Sequence, residues 1–326
     1  MIKAGILKIA GLVCLLAALL CFGSLDASAQ SCSFSITDVN FGSVDLTQGS
    51  AIDVTATFTA TCSAGNATTV RVCPNINLGT GGSASGGTPR YMLSGGNQLS
   101  FSLYQDAART NEWGSTVSGT AFGPPTVDVP ILLPTNTVTR TIYGSIFASQ
   151  QGRPTGTYNS SFAGGQTLIS YRNGTTKTCA QIGTANGTQA PFTVQANYVP
   201  TCRVSAAGLN FGSLAGTAIA SGVDGATNVT TTCSAQTPYS VALDGGLTSA
   251  TNPTQRKMSM GTNMLTYGLY QDYGRTLPWG ATSGTDTNAG VGTGLGQPIP
   301  VYGRVPNQSV PPPGNYNDTI VVTVVY

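Results

Sequence analysis

Along residues 51–62, AIDVTATFTATC, apolar and polar positions alternate. Ile52, Val54, Ala56, Phe58, Ala60 and Cys62 fall on one face, which is the period of a strand, and no helical period competes with it. The same alternation returns in PFTVQANYVPTC (191–202), where Phe192, Val194, Ala196 and Tyr198 share a face. TIVVTVVY (319–326) is β-branched at nearly every position. Between such runs lie stretches of turn residues, GTGGSASGGTP (79–89) among them. The pattern predicts an all-β chain.

The pattern is also written twice. LYQDAARTNEWG (103–114) returns 166 residues later as LYQDYGRTLPWG (269–280). VNFGSV (39–44) answers LNFGSL (209–214), TIYGSI (141–146) answers PVYGRV (300–305), and PTGTY (154–158) answers PPGNY (312–316), all in the same order. Two homologous β-sandwich domains are predicted, over residues 30–200 and 201–326, each with two sheets facing each other across one disulfide. The repeated dodecapeptide reads as a fold determinant rather than as chemistry kept in duplicate. In it Asp106 is expected to pair with Arg109 across a turn while Trp113 caps the core edge beside Tyr104; Asp272, Arg275, Trp279 and Tyr270 repeat the arrangement.

Only 8% of the 326 residues are charged, with a formal net charge of +2 and no His. Ser, Thr, Asn and Gln must supply the polar face. Neither a nucleic-acid footprint nor a patch for anionic lipid is visible. The first 29 residues have a basic start, an apolar run and ASA before Gln30, the grammar of a cleaved secretory signal. Its removal leaves six cysteines, an even number that reads as disulfides in an exported chain. Equal spacing at the start of each repeat assigns Cys32–Cys62 and Cys202–Cys233, leaving Cys73 to Cys179. Without His or a C-x-x-C pair a metal site is not expected, and no cofactor is implied. Glu112 is the sole Glu, and Asp128, Arg140 and Arg153 are scattered, so no general acid–base constellation suggests an enzyme. The N-x-[ST] triplets at Asn66 and Asn173 read as turn and strand composition.

At C-x-V-x-A-x-x-LNFG, LY-x-D-x-x-RT-x-x-WG, VYGR-x-P and PPGNYNDTIVVTVVY the chain resembles the spore coat protein U-like domain, the building block of archaic chaperone–usher pili. The second half matches throughout. The first carries an extra cysteine pair, the unmatched FGPPTVDVPILLPTN and a long loop after Tyr171. The resemblance implies immunoglobulin-like sandwiches that lack their last strand, which a periplasmic chaperone lends and, at the outer-membrane usher, the extension of an adjacent pilin subunit replaces. Only Gln30 and Ser31 of the mature chain precede Cys32, so no donor strand is expected there. The run through Phe192, Val194, Ala196 and Tyr198 is expected to complete the first domain internally. The second domain is expected to keep an open groove for chaperone and donor strand, edged by Ile320, Val322, Val324 and Tyr326.

An accept-only subunit belongs at a fibre end. The resemblance therefore implies an exported pilus tip subunit whose first domain meets an abiotic or host surface and supports biofilm. Its candidate adhesive loop comprises Phe122, Pro124, Pro125, Ile131, Leu132 and Leu133; alternatively, Ile131 and Leu133 belong to a core strand. The other reading is a spore-coat or cell-surface coat protein made without pilus assembly.

Overall fold

The computed structural model describes residues 31–63, 67–117, 120–132 and 134–326. The expected export signal, Asn66 and Leu133 lie outside them. No helix among the described residues is long and apolar enough to cross a membrane.

Two hydrophobic cores mark two all-β domains, one built around Phe58, Phe101 and Trp113, the other around Tyr267, Trp279 and Val301. The first domain contains β1 (Ser31–Ile36), β2 (Val39–Val44), β3 (Ile52–Ser63), β4 (Thr69–Ile76), β5 (Arg90–Ser94) and β6 (Asn97–Tyr104). β7 (Val127–Pro130), β8 (Asn136–Ile146), β9 (Gly156–Phe162), β10 (Thr167–Asn173) and β11 (Phe192–Tyr198) complete it. Its large sheet runs β1-β3-β8-β6-β5-β9-β11-β2, opposed by a small sheet β10-β4-β7. The second domain contains β12 (Cys202–Ala206), β13 (Val223–Cys233), β14 (Pro238–Leu243), β15 (Arg256–Met260), β16 (Asn263–Tyr270), β17 (Asn288–Val291), β18 (Gly296–Val305) and β19 (Val322–Val325). Its sheets run β12-β13-β18-β16-β15 and β17-β14-β19.

The alternation along β3 settles its face: Ala56, Phe58, Ala60 and Cys62 are buried, while the intervening threonines are at most half-buried. The sandwich is not bridged by the repeated disulfides, contrary to the expectation. Cys32 and Cys62 are registered neighbours on β1 and β3 of one sheet, as are Cys202 and Cys233 on β12 and β13. The spacing near 30 therefore measures a pair of adjacent strands and their long connection, not the gap between layers. Cys73–Cys179 instead fastens a short helix, α1 (Cys179–Ile182), against β4.

The dodecapeptide differs from its expected geometry too. Asp106 turns back on its own loop, accepting from the backbone N–H of Thr110 (2.9 Å) and from the Thr110 hydroxyl and Asn111 amide. Arg109, at φ 55°, donates from Nη1 to Ala107 O of its own loop at 3.0 Å and ion-pairs with Asp53 at 3.1 Å rather than with Asp106. In the second copy Asp272 holds the N–H groups of Thr276 and Leu277, and Arg275, at φ 58°, reaches Asp224 at 3.1 Å. A carboxylate four residues from free backbone donors closes an Asx-type turn more readily than it waits for a long side chain. Trp113 and Trp279 lie in the cores rather than at an edge, donating to Pro74 O (2.8 Å) and Val241 O (2.9 Å).

Arg90 and Arg256, again 166 residues apart, are buried beside these tryptophans. Arg90 donates to the carbonyls of Asn77, Ile76 and Trp113; Arg256 donates to those of Asp244, Leu243, Trp279 and Pro253. Burial lowers both guanidinium pKa values, Arg90 to about 10.

Candidate functional site: the open groove of the second domain

β11 explains what the second domain lacks. It runs antiparallel to β9 and parallel to β2, so it bridges two elements that would otherwise stand apart. Phe192, Val194, Ala196 and Tyr198 all point inward and are buried. Phe192 meets Phe162, Val194 meets Ser160, Ala196 meets Tyr158 and Tyr198 meets Gly156 across the β9 pair. Only Val199, Pro200 and Thr201 separate this strand from β12.

The second domain repeats the frame without such a strand among the described residues. Residues 209–214, the counterpart of β2, form no strand, and residues 314–320, the counterpart of β9, touch the large sheet through the isolated bridge Ser259–Asn317. That bridge reproduces the Leu93–Asn159 pair between β5 and β9. The two corners also match: Tyr158 donates to Pro154 O and Tyr316 to Pro312 O, each at 2.7 Å. Leu209 and Phe211 rest over Gly225 and Gly303, which are paired across β13 and β18 and leave no Cβ beneath them. Between residues 207–211 and 316–322 opens a cleft of about 380 Å³, with Leu209, Phe211, Tyr267, Tyr316 and Ile320 among its walls. A neighbouring hollow continues it past Leu214 to residues 310–315.

The floor is not uniformly apolar. Asp318 lines the cleft, and its Oδ2 accepts from the Tyr267 hydroxyl at 2.6 Å while Oδ1 accepts from the backbone of Leu247 and Thr319 at 2.8 Å each. Burial, then the hydrogen bond to Asp318, pushes the Tyr267 phenol well above its usual range. Gly246 admits the carboxylate, since a Cβ there would strike it.

Of the residues expected to edge the groove, Ile320 and Val322 line the cleft. Val324 packs partly buried against the second core on β19, and Tyr326 is 57% exposed; neither contributes to the lining. β19 pairs with β14 in the opposite sheet, so the last strand has already left the groove by that point. The sequence pattern does not mark the opposite wall, residues 209–214, as a groove edge, although LNFGSL is a landmark of the repeat. Nor does it mark Tyr267, Asp318, Arg90 and Arg256; for the arginines the shared offset of 166 is an available signal.

The candidate adhesive residues do not form one loop. Phe122, 39% exposed, precedes β7 with Pro124 and Pro125 half-buried, whereas Leu132, 83% exposed, follows it. Between them Val127 and Val129 are core residues, and Ile131 packs partly buried against the core with its N–H on Thr68 O. β7 turns Val127 and Val129 inward, so the centre of the stretch is a short core strand with the candidate residues on either side of it. Leu132 belongs to the end of the first domain where Pro130 meets Thr69 and Asn173 meets Val70. The opposite end, at Thr47, Pro154 and Tyr198, meets the second domain: Arg203 donates to the Thr47 hydroxyl at 2.8 Å and Pro154 bridges to Ala235. Asp128, one of the scattered ionisable residues, is held by Arg71 through two bonds of 2.7 Å. No group of three metal-ligating side chains occurs among the described residues.

The profile of the Spore Coat Protein U domain matches residues 18–164 and 188–323. The second match begins ahead of β11, so that strand goes with the second repeat by sequence and with the first domain by pairing. Protein U of Myxococcus xanthus is 37% identical over 128 residues, spanning 36% of this chain and 71% of the relative. The fold is similar to that in the chaperone–tip adhesion subunit pre-assembly complex from archaic chaperone-usher Csu pili of Acinetobacter baumannii, with a TM-score of 0.52 and 15% identity, covering 91% of this chain and 100% of that one. A tip adhesin from Pseudomonas aeruginosa aligns over 91% of this chain and 94% of its own, at 12% identity and a TM-score of 0.36.

Proposed function

The chain belongs to the Spore Coat Protein U domain family, and on that premise we propose that it is an exported subunit at the end of a surface fibre, accepting a β-strand from a neighbouring subunit in its second domain. One observation carries the reading: β11 occupies, in the first domain, the place between β2 and β9 that corresponds to the cleft between residues 209–214 and 314–320 in the second. A parallel or antiparallel strand is the occupant such a gap fits, because it leaves backbone donors and acceptors of two segments to be paired. A periplasmic chaperone holds the groove before assembly, an outer-membrane usher passes the subunit on, and an adjacent pilin supplies the final strand.

The first domain, already complete, faces outward. Its far end carries exposed Leu132 among residues rich in hydroxyls and amides, and it contacts an abiotic or host surface during adhesion and biofilm formation. The proposed division of the chain is a removed signal over residues 1–29, an adhesive domain over 30–200 and an assembly domain over 201–326, with no catalytic role.

The test is production of the chain in a bacterial periplasm with and without a cognate periplasmic chaperone. Chaperone-dependent recovery, with two thermal transitions of which only the second rises on adding a donor-strand peptide, is the expected result. Full recovery alone and a peptide-insensitive second transition favour a self-sufficient coat protein instead.

A further inference from the structure

We propose that Asp318 and Tyr267 select the incoming strand: the residue it places opposite Asp318 carries a neutral hydrogen-bond donor, of the Ser, Thr or Asn class, between apolar residues that face Tyr316 and Ile320. This rests on the acceptor reading above and names the chemistry of its partner.

The register follows from the first domain. Val194 of β11 pairs with Ser160, and both side chains point into the core. Ser160 corresponds to Asp318 on two independent anchors, the Tyr158 and Tyr316 corners two residues earlier and the matched bridges of Asn159 and Asn317 one residue earlier. The glycine beneath agrees, since a Cβ on Gly79 would meet Ser160 and one on Gly246 would meet Asp318. The neighbouring β-strand residue changes in concert. Arg90 pairs with Phe101 and Arg256 with Tyr267, so an apolar ring in the closed domain becomes a phenol in the open one.

The closed domain thus presents Ser and Phe where the open domain presents a carboxylate held by a phenol. Asp318 uses three of about four acceptor positions of a carboxylate on Tyr267, Leu247 and Thr319. While the cleft is open, water serves the remainder. An inserted strand covers it, and an apolar side chain such as Val at that register removes the water and returns nothing. A hydroxyl or amide donor restores the bond. A lysine would add a second buried cation, because the buried Arg256 guanidinium is already drawn to Asp318 and Asp244. The two acceptors of one chain therefore read different strands, and β11, with Val194 at this position, fits the first domain and not the second.

The experiment uses the full chain and three synthetic peptides of the sequence PFTVQANY: unaltered, with Val194→Ser, and with Val194→Lys. Their dissociation constants and effects on the second melting transition are measured. The Ser peptide is expected to bind at least tenfold tighter than either other peptide. In the chain carrying Asp318→Ser and Tyr267→Phe, the Val peptide should equal or exceed the Ser peptide. Equal binding of Val and Ser peptides to the unaltered chain overturns the proposal without any variant having to fold, and tighter binding of the Lys peptide overturns it in favour of ion pairing. Binding of none of the three overturns the acceptor reading itself.

Discussion

Phe192 stacks on Phe162 with ring centroids 4.6 Å apart and planes 11° from parallel. The contact joins a strand that lies beside the second domain in sequence to the sheet of the first, and both rings are buried. Truncating Phe192 to Ala should cost the first domain about 3–5 kcal/mol, the range for a large aromatic lost from a core. Calorimetry of the variant should show the first domain's transition lowered and the second's unmoved. A uniform fall of both would mean that β11 couples the domains rather than completing one.

The buried arginines give a second prediction. Arg256 binds four backbone carbonyls, two of them through the same nitrogen, and no aliphatic residue can satisfy any. Arg256→Met should destabilise the second domain by about 3–5 kcal/mol, since it strands the acceptors of a buried cation. Lysine should not rescue it, because a single ammonium cannot reproduce the planar fork. Arg90→Met should cost the first domain less, as its Nη1 already finds no acceptor among the described residues. Urea titration of the three variants measures the order.

Asp106 is held down to about 2 from an ordinary 3.8, first by the Thr110 hydroxyl, with desolvation opposing it and the hydrogen bonds from the Asn111 and Thr110 backbone and the Asn111 side chain adding to the depression. Its folded pKa lies below its unfolded one, so the stabilisation is present above about pH 4 and disappears as pH falls toward 2. The melting temperature of the parent should exceed that of Asp106→Asn by a constant margin from neutral pH to about 4. Below that the margin should close. Hydrogen bonds to Asp272 depress its pKa in the same direction, so Asp272→Asn should behave alike.

What could be read from the chain was whatever its local pattern encodes. Period-two alternation marks β3 and β11 because one face of each meets a core, and the repeat marks two domains because its landmarks are turns and corners that every copy needs. Three kinds of feature were hidden. The Cys32–Cys62 spacing does not say whether the bridged strands are neighbours in one sheet or partners across two. The Asp106 turn was misread because backbone donors leave no trace in side-chain spacing. The groove is a relation between residues 209–214 and 314–320, which lie far apart in the chain, and neither segment looks unusual alone. Asp318 stands just ahead of the strand-forming run 319–326, and its role depends on the phenol of Tyr267, which no local pattern predicts.

Gly303 tests whether the unpaired wall of the groove has a built seat. Its backbone φ is not in the left-handed region, so a side chain is tolerated conformationally; the obstacle is contact, because a Cβ there would strike Leu209 and Phe211. Gly144, its counterpart, is similarly overlaid by Val39 and Phe41 of β2, which the β11 pairing holds in place. In the second domain nothing among the described strands pins residues 209–214. Gly303→Val should therefore displace Leu209 and Phe211 at a cost of about 1–3 kcal/mol, an overpacking penalty, and should weaken binding of any strand peptide that pairs with this wall. Gly208→Ala, on the same wall but with open space around its Cα, should change stability by no more than about 0.5 kcal/mol. If Gly303→Val binds a donor peptide as tightly as the parent does, residues 209–214 are not part of the acceptor, and the incoming strand pairs with residues 314–320 alone.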